Sequence, residues 1–121
     1  MTDDIRTVVL ADDEEDYRFV LRRGLERGGR FRVLAEAATG DEALECVTEH
    51  QPSVLLLDLG LSDQSDDALI GQLLMAAPQT MVAIMTGRSA EERESATRAA
   101  GAFTYYEKAM IGRGLLDYLE T

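Results

Sequence analysis

The sequence predicts an α/β sandwich, with a five-stranded parallel sheet covered by helices on both faces. Three observations carry this reading. Apolar residues fall in five short runs of strand length, helix-length segments with apolar spacing near 3.6 separate the runs, and the chemically capable polar residues follow the runs instead of interrupting them. Near-continuous apolar strands imply burial on both faces, as in a parallel sheet between helical layers. The alternation of the two element types implies βα units joined by right-handed crossovers.

Taken in order, the strands are Thr7–Ala11, Phe31–Ala35, Val54–Leu57, Met81–Met85 and Ala102–Tyr106, the third being the most uniformly apolar. After the first strand, Tyr17, Val20, Leu21, Gly24 and Leu25 repeat at helical spacing and predict one buried face. Ala43, Leu44 and Val47 do so after the second, with Thr39 as a cap candidate and Pro52 near the end. Leu69, Ile70, Leu73, Leu74 and Ala77 mark the third helix, stopped by Pro78. Ser89 with Glu92 three positions on is a capping-box pattern that starts a fourth helix over Ala90–Ala100. Ile111, Leu115, Tyr118 and Leu119 mark a fifth.

Composition narrows the function. A 121-residue chain with 45% hydrophobic residues can bury a core, and it reads as one domain over 1–121, with any output domain downstream in a longer parent. The formal charge of -11, without a Lys/Arg-rich run, argues against direct nucleic-acid binding but leaves a cation site open. Cys46 is alone, has no internal disulfide partner, and fits a reducing, cytoplasmic setting as a packed, inert thiol. The polar start Met1–Asp4 predicts no signal peptide, and no apolar run approaches the ~20 residues that span a bilayer.

The functional signal lies at the carboxyl ends of the strands. Asp12 and Asp13 close the first, Asp58 the third and Thr86 the fourth, and Lys108 follows the fifth. In a parallel sheet these ends share one edge, and with strand order 2-1-3-4-5 the switch point lies between the first and third strands, which carry all three carboxylates. Taken singly, each residue has a plainer reading: helix cap, turn former, loop residue or surface lysine. Taken jointly, three carboxylates, a hydroxyl and an ammonium suit a cation and a phosphoryl group, because clustered like charges need compensation.

With these pieces in place, the chain resembles the receiver domain of bacterial two-component response regulators over its whole length. The resemblance rests on Val9-Leu10-Ala11-Asp12-Asp13, Leu55-Leu56-Leu57-Asp58, Ile84-Met85-Thr86-Gly87, Gly101 to Lys108 and the segment Glu36 to Ala43. It implies the flavodoxin-like (βα)5 doubly wound fold and a phosphorylation switch, not an enzyme acting on a separate substrate. Asp58 would take a phosphoryl group from a phosphohistidine on a sensor histidine kinase or phosphotransfer protein. Asp13, Asp58 and the Gly60 carbonyl would bind Mg²⁺, with Asp12 acting largely through water. Lys108 would pair with a phosphoryl oxygen, Thr86 would reach it by its hydroxyl, and Tyr105 would turn inward as the switch aromatic. The fourth helix, fifth strand and fifth helix would form the responsive surface, a candidate homodimer face, and the first helix near Asp16, Tyr17 and Phe19 the kinase-docking side.

The sequence departs from the family pattern at four points. Ser62 and Asp66 stand where Pro and Gly are usual, which leaves an acidic, less constrained loop. Ala109 replaces a Pro after Lys108; a cis bond there would cost about 2.5–4 kcal/mol, so a trans bond with Lys108 displaced, or a strained site, is expected. Gly87 replaces a small Ala and would admit water to an acyl phosphate, shortening its lifetime. Two other strand-end chemistries fit poorly. A haloacid-dehalogenase-type phosphatase wants an acid where Gly60 stands, and an FMN carrier needs a phosphate loop where Asp12–Asp16 would repel phosphate. The remaining rival is a receiver-shaped interaction module indifferent to phosphorylation.

Overall fold

A computed structural model of the chain describes residues 5–61, 65–86 and 104–107. The elements are β1 (Arg6–Ala11), α1 (Glu15–Arg27), β2 (Phe31–Ala37), α2 (Gly40–His50), β3 (Val54–Asp58), α3 (Asp66–Ala76), β4 (Met81–Thr86) and β5 (Thr104–Glu107). The strands pair in parallel in the order β2-β1-β3-β4-β5, the doubly wound arrangement expected from the sequence. The segments read as fourth and fifth helices lie outside the described residues.

Strand alternation divides the core into two layers. Val9, Ala11, Leu55, Leu57, Val82 and Ile84 face α2 and α3, where they meet Ala43, Val47, Leu69, Ile70 and Leu73. Their neighbours Val8, Leu10, Val54, Leu56, Ala83 and Met85 face the other way, toward Leu21 and Leu25 of α1. The Leu run of β3 has no strand propensity of its own to speak of. It is held extended by its short length between Pro52 and Gly60 and by burial on both faces.

The pairing of β1 with β2 departs from regularity at one point. Val8 pairs with Val33 but Val9 pairs with Ala35, so β2 carries an extra residue, a bulge at Leu34. Phe31 and Val33 therefore pack toward α1, whereas Ala35 and Ala37 pack toward the opposite layer.

Thr39 caps α2 as the sequence suggests, its Oγ1 accepting from the Glu42 N–H at 3.1 Å while Glu42 accepts from the Ala38 N–H. Ser65 caps α3 in the same way, so the acidic stretch before α3 ends in a conventional start. The expected buried face of α1 needs correction: Val20 is 64% exposed and Gly24 is also exposed, leaving Leu21 and Leu25 as its buried anchors. A helix of this fold touches the sheet along one narrow stripe, and residue 20 lies beyond it. Cys46 is half-buried beside the core, and burial, with the charges of Glu42, Glu49 and Glu45, pushes its thiol up. That opposes thiolate formation, in keeping with an unreactive cysteine.

Gln51 ends α2 in the left-handed region, with φ 46°. Its side-chain amide donates to the carbonyls of Val47 and Thr48, and to Ala76 at the end of α3. A left-handed non-glycine residue costs about 1–2 kcal/mol, which these bonds offset. We expect Gln51→Ala to lower stability by about 1 kcal/mol, and Gln51→Gly to be milder because glycine removes the backbone cost. Urea unfolding followed by far-UV circular dichroism measures both.

Candidate functional site

Parallel pairing brings the acidic residues together. Ala11 pairs with Leu57, so the residues that follow, Asp12 and Asp58, stand level at the carboxyl edge of adjacent strands. Carboxylate oxygens of Asp12, Asp13 and Asp58 all lie within 4.8 Å of one another. Asp12 is fully buried, Asp58 half-buried and Asp13 exposed, so the group is open to solvent on one side. At an effective dielectric constant near 20, each pair of full charges at that separation repels by about 3 kcal/mol. A divalent cation would remove that cost, and carboxylate oxygens are the hard donors Mg²⁺ takes. The residues present fit such an ion.

The backbone around the acids is tied in place. The Asp12 N–H donates to Ala37 of β2 at 2.9 Å, and one Asp12 carboxylate oxygen accepts from the Glu14 N–H at 2.8 Å. Asp12 is thus a turn former as well as a member of the acidic group. Beyond Asp58, Gly60 has φ +84°, a conformation that strains any L side chain. The loop is then fastened to the second helix, as the Gly40 N–H donates to Leu61 at 3.0 Å and Leu61 packs on the core.

At the neighbouring strands, Asp58 pairs with Met85, and Thr86 is the next residue along β4, paired with Glu107 of β5. Tyr105 pairs with Ile84. Lys108 and the Lys108–Ala109 bond lie outside the described residues, as do Gly87 and Ser62.

Comparison with known proteins decides the family. The model of the response regulator receiver domain matches residues 8–120. The chain belongs to the response regulator receiver family. Among its relatives, an uncharacterized transcriptional regulatory protein of Bacillus subtilis, YhcZ, is 32% identical over 101 residues, which are 84% of this chain and 47% of that protein. The DNA-binding transcriptional regulator NtrC of Klebsiella pneumoniae is 30% identical over 92% of this chain and 25% of its own length. The chain therefore spans less than half the length of these relatives. The signal receiver domain of the putative response regulator NarL from Mycobacterium tuberculosis superposes with a TM-score of 0.84 at 24% identity, covering 97% of this chain and 98% of that one. Receiver domains are signalling domains that work with histidine kinases or phosphotransfer proteins. Among the described residues, no helix is long and apolar enough to cross a membrane.

Sequence reasoning missed a set of residues beneath the acidic group. Arg18 of α1 donates from Nε to Glu36 at 2.9 Å and from its terminal nitrogen to the Asp12 carbonyl. Arg22 donates to the other Glu36 oxygen at 2.8 Å and also pairs with Glu26. Burial pushes the Glu36 carboxyl up, but hydrogen bonds from Arg18 and Arg22, with their charges, outweigh it and hold the group below its usual range. The i, i+4 spacing of Arg18 and Arg22 on one helix face was the available signal.

A depressed carboxyl pKa stabilises the fold above the unfolded value, near 4.3, and that contribution is lost as pH falls through the folded value. We expect Glu36→Gln to cost about 1–2 kcal/mol at pH 7, with the gap to wild type narrowing below about pH 4. Urea midpoints at the two pH values check this.

Proposed function

We propose that this receiver domain is a phosphorylation switch in which Asp58 accepts the phosphoryl group. The observation that supports it most is the convergence of Asp12 and Asp13 on Asp58, a half-buried, strand-end carboxylate. Asp58 is available as a nucleophile, and the flanking acids supply a cation site next to it.

In the proposed reaction an Asp58 carboxylate oxygen attacks the phosphorus of a phosphohistidine on a sensor histidine kinase or phosphotransfer protein. The new bond is O–P, the broken bond is N–P, and the electron pair returns to the donor's imidazole nitrogen, which takes up a proton. Asp13, Asp58 and the Gly60 carbonyl would hold Mg²⁺, with Asp12 acting through water. When bound, the cation supplies neutralisation of phosphoryl charge, the main electrostatic demand of such a transfer. The acyl phosphate on Asp58 adds charge that the Lys108 ammonium and Thr86 hydroxyl would satisfy. The arrangement that brings them close then gains population. The place of Thr86 one residue beyond the partner of Asp58 supports its part, and the pairing of Tyr105 with Ile84, on the adjoining strand, supports the reading of Tyr105 as the switch aromatic. The responsive surface would be β5 with the segments read from the sequence as the fourth and fifth helices, a candidate homodimer face, leaving α1 to dock the kinase. Hydrolysis of the acyl phosphate resets the switch. The domain would turn over no substrate beyond its own modification, and it would work in the cytoplasm without contacting nucleic acid itself.

Incubation with Mg²⁺ and acetyl phosphate, followed by intact-mass measurement, should add one phosphoryl group. The gain should vanish in Asp58→Asn and fall at least tenfold in rate in Asp13→Asn, in line with the loss expected when a metal ligand goes. No gain, where another receiver domain reacts, would favour a phosphorylation-independent interaction module.

A further inference from the structure

The Arg18–Glu36 contact lies against the acidic site without belonging to it. Arg18 is hydrogen-bonded to the backbone of the acidic group at Asp12, and its side chain is only 14% exposed. Its two bonds run to different elements: Nε to Glu36 on β2, and a terminal nitrogen to the Asp12 carbonyl at the end of β1. The planar guanidinium fork can hold both at once, which a lysine ammonium on its flexible stem does poorly.

The bulge in β2 explains why Glu36 is there to be used. With strict alternation after Phe31 and Val33, which face α1, residue 36 would point into the opposite layer. The extra residue at Leu34 reverses the phase, sending Ala35 and Ala37 to that layer and Glu36 to the α1 side. Glu36 then meets Arg18 and Arg22.

We propose that Arg18, aimed by Glu36, is a positioning residue that sets the Asp12–Asp13 backbone for divalent-cation binding. The proposal rests on the reading of the acidic group as a cation site. Two effects of removing Arg18 oppose each other. Losing a positive charge near three carboxylates would tighten cation binding, whereas losing the backbone clamp would weaken it. Arg18 bonds to the Asp12 backbone carbonyl and to Glu36, so its direct part in the acidic group is the hold on the backbone, and the clamp should dominate.

Free Mn²⁺ measured by electron paramagnetic resonance, with Mg²⁺ competition, reads the affinity directly without any phosphoryl transfer. Arg18→Met should weaken binding about tenfold, the low end for loss of an outer-shell partner. Arg18→Lys should recover part of it. Arg22→Met, which loses the same Glu36 but no Asp12 contact, should change it less than about twofold, as a salt bridge only half-buried allows. Far-UV circular dichroism at the binding temperature establishes that each variant is folded. Should Arg18→Met fold poorly, Arg18→Gln serves in its place, because it removes the same charge and the same clamp while keeping a polar side chain, and a severalfold loss is expected. Unchanged or tighter binding in a folded Arg18→Met or Arg18→Gln variant overturns the positioning role. Binding absent from the wild type, and equally from Asp13→Asn, overturns the cation site and this role together.

Discussion

The parallel pairing of β1 with β3 is the constraint on which the rest of the structure depends. Both strands are buried to the limit, Val8 to Ala11 and Val54 to Leu57 being essentially without solvent exposure. Each large apolar side chain so buried contributes on the order of 1.5–3 kcal/mol, and a slip of one residue would turn every one of them into the wrong layer. The register Ala11 to Leu57 is therefore not negotiable, and the acids that follow must share the edge where both strands stop. Mutual repulsion of about 3 kcal/mol per pair cannot separate groups held by a core of that size.

The acidic group is thus a place where local electrostatics yields to packing, and its surroundings show how the cost is contained. The Glu14 N–H donates to the Asp12 carboxylate and the Asp12 N–H to Ala37, the β3–α3 loop is turned at Gly60 and anchored by Leu61, and the Arg18–Glu36–Arg22 ion pairs brace the β1–α1 turn from below. Residues flanking the site contribute shape and fixed charge, while Asp13 and Asp58 remain reachable from solvent. Support beneath solvent-reachable acids suits the proposed switch, in which a small charge change would bias a larger rearrangement.

Turn formation and membership of the acidic group are compatible rather than exclusive. Asp12 is the clearest case, since a single carboxylate forms the turn that starts α1 and also joins the acidic group. Cap signals were legible because they are local: Thr39 and Glu42 are three residues apart and meet in any α-helix that begins there. The face of α1 was less legible, and Val20 proved exposed, because helical spacing gives the angle of a stripe but not its width.

The sequence by itself determined the strand–helix alternation, the strand order by resemblance, and the carboxylates at 12, 13 and 58, since apolar runs and strand-end acids are properties of consecutive residues. Only the tertiary structure decided that β2 is bulged at Leu34, that Glu36 consequently faces α1, and that Gln51 joins the ends of two helices from a left-handed conformation. Those features arise between elements remote in the chain. A side chain's partner there depends on register, twist and reach in three dimensions, and no spacing along one segment encodes them.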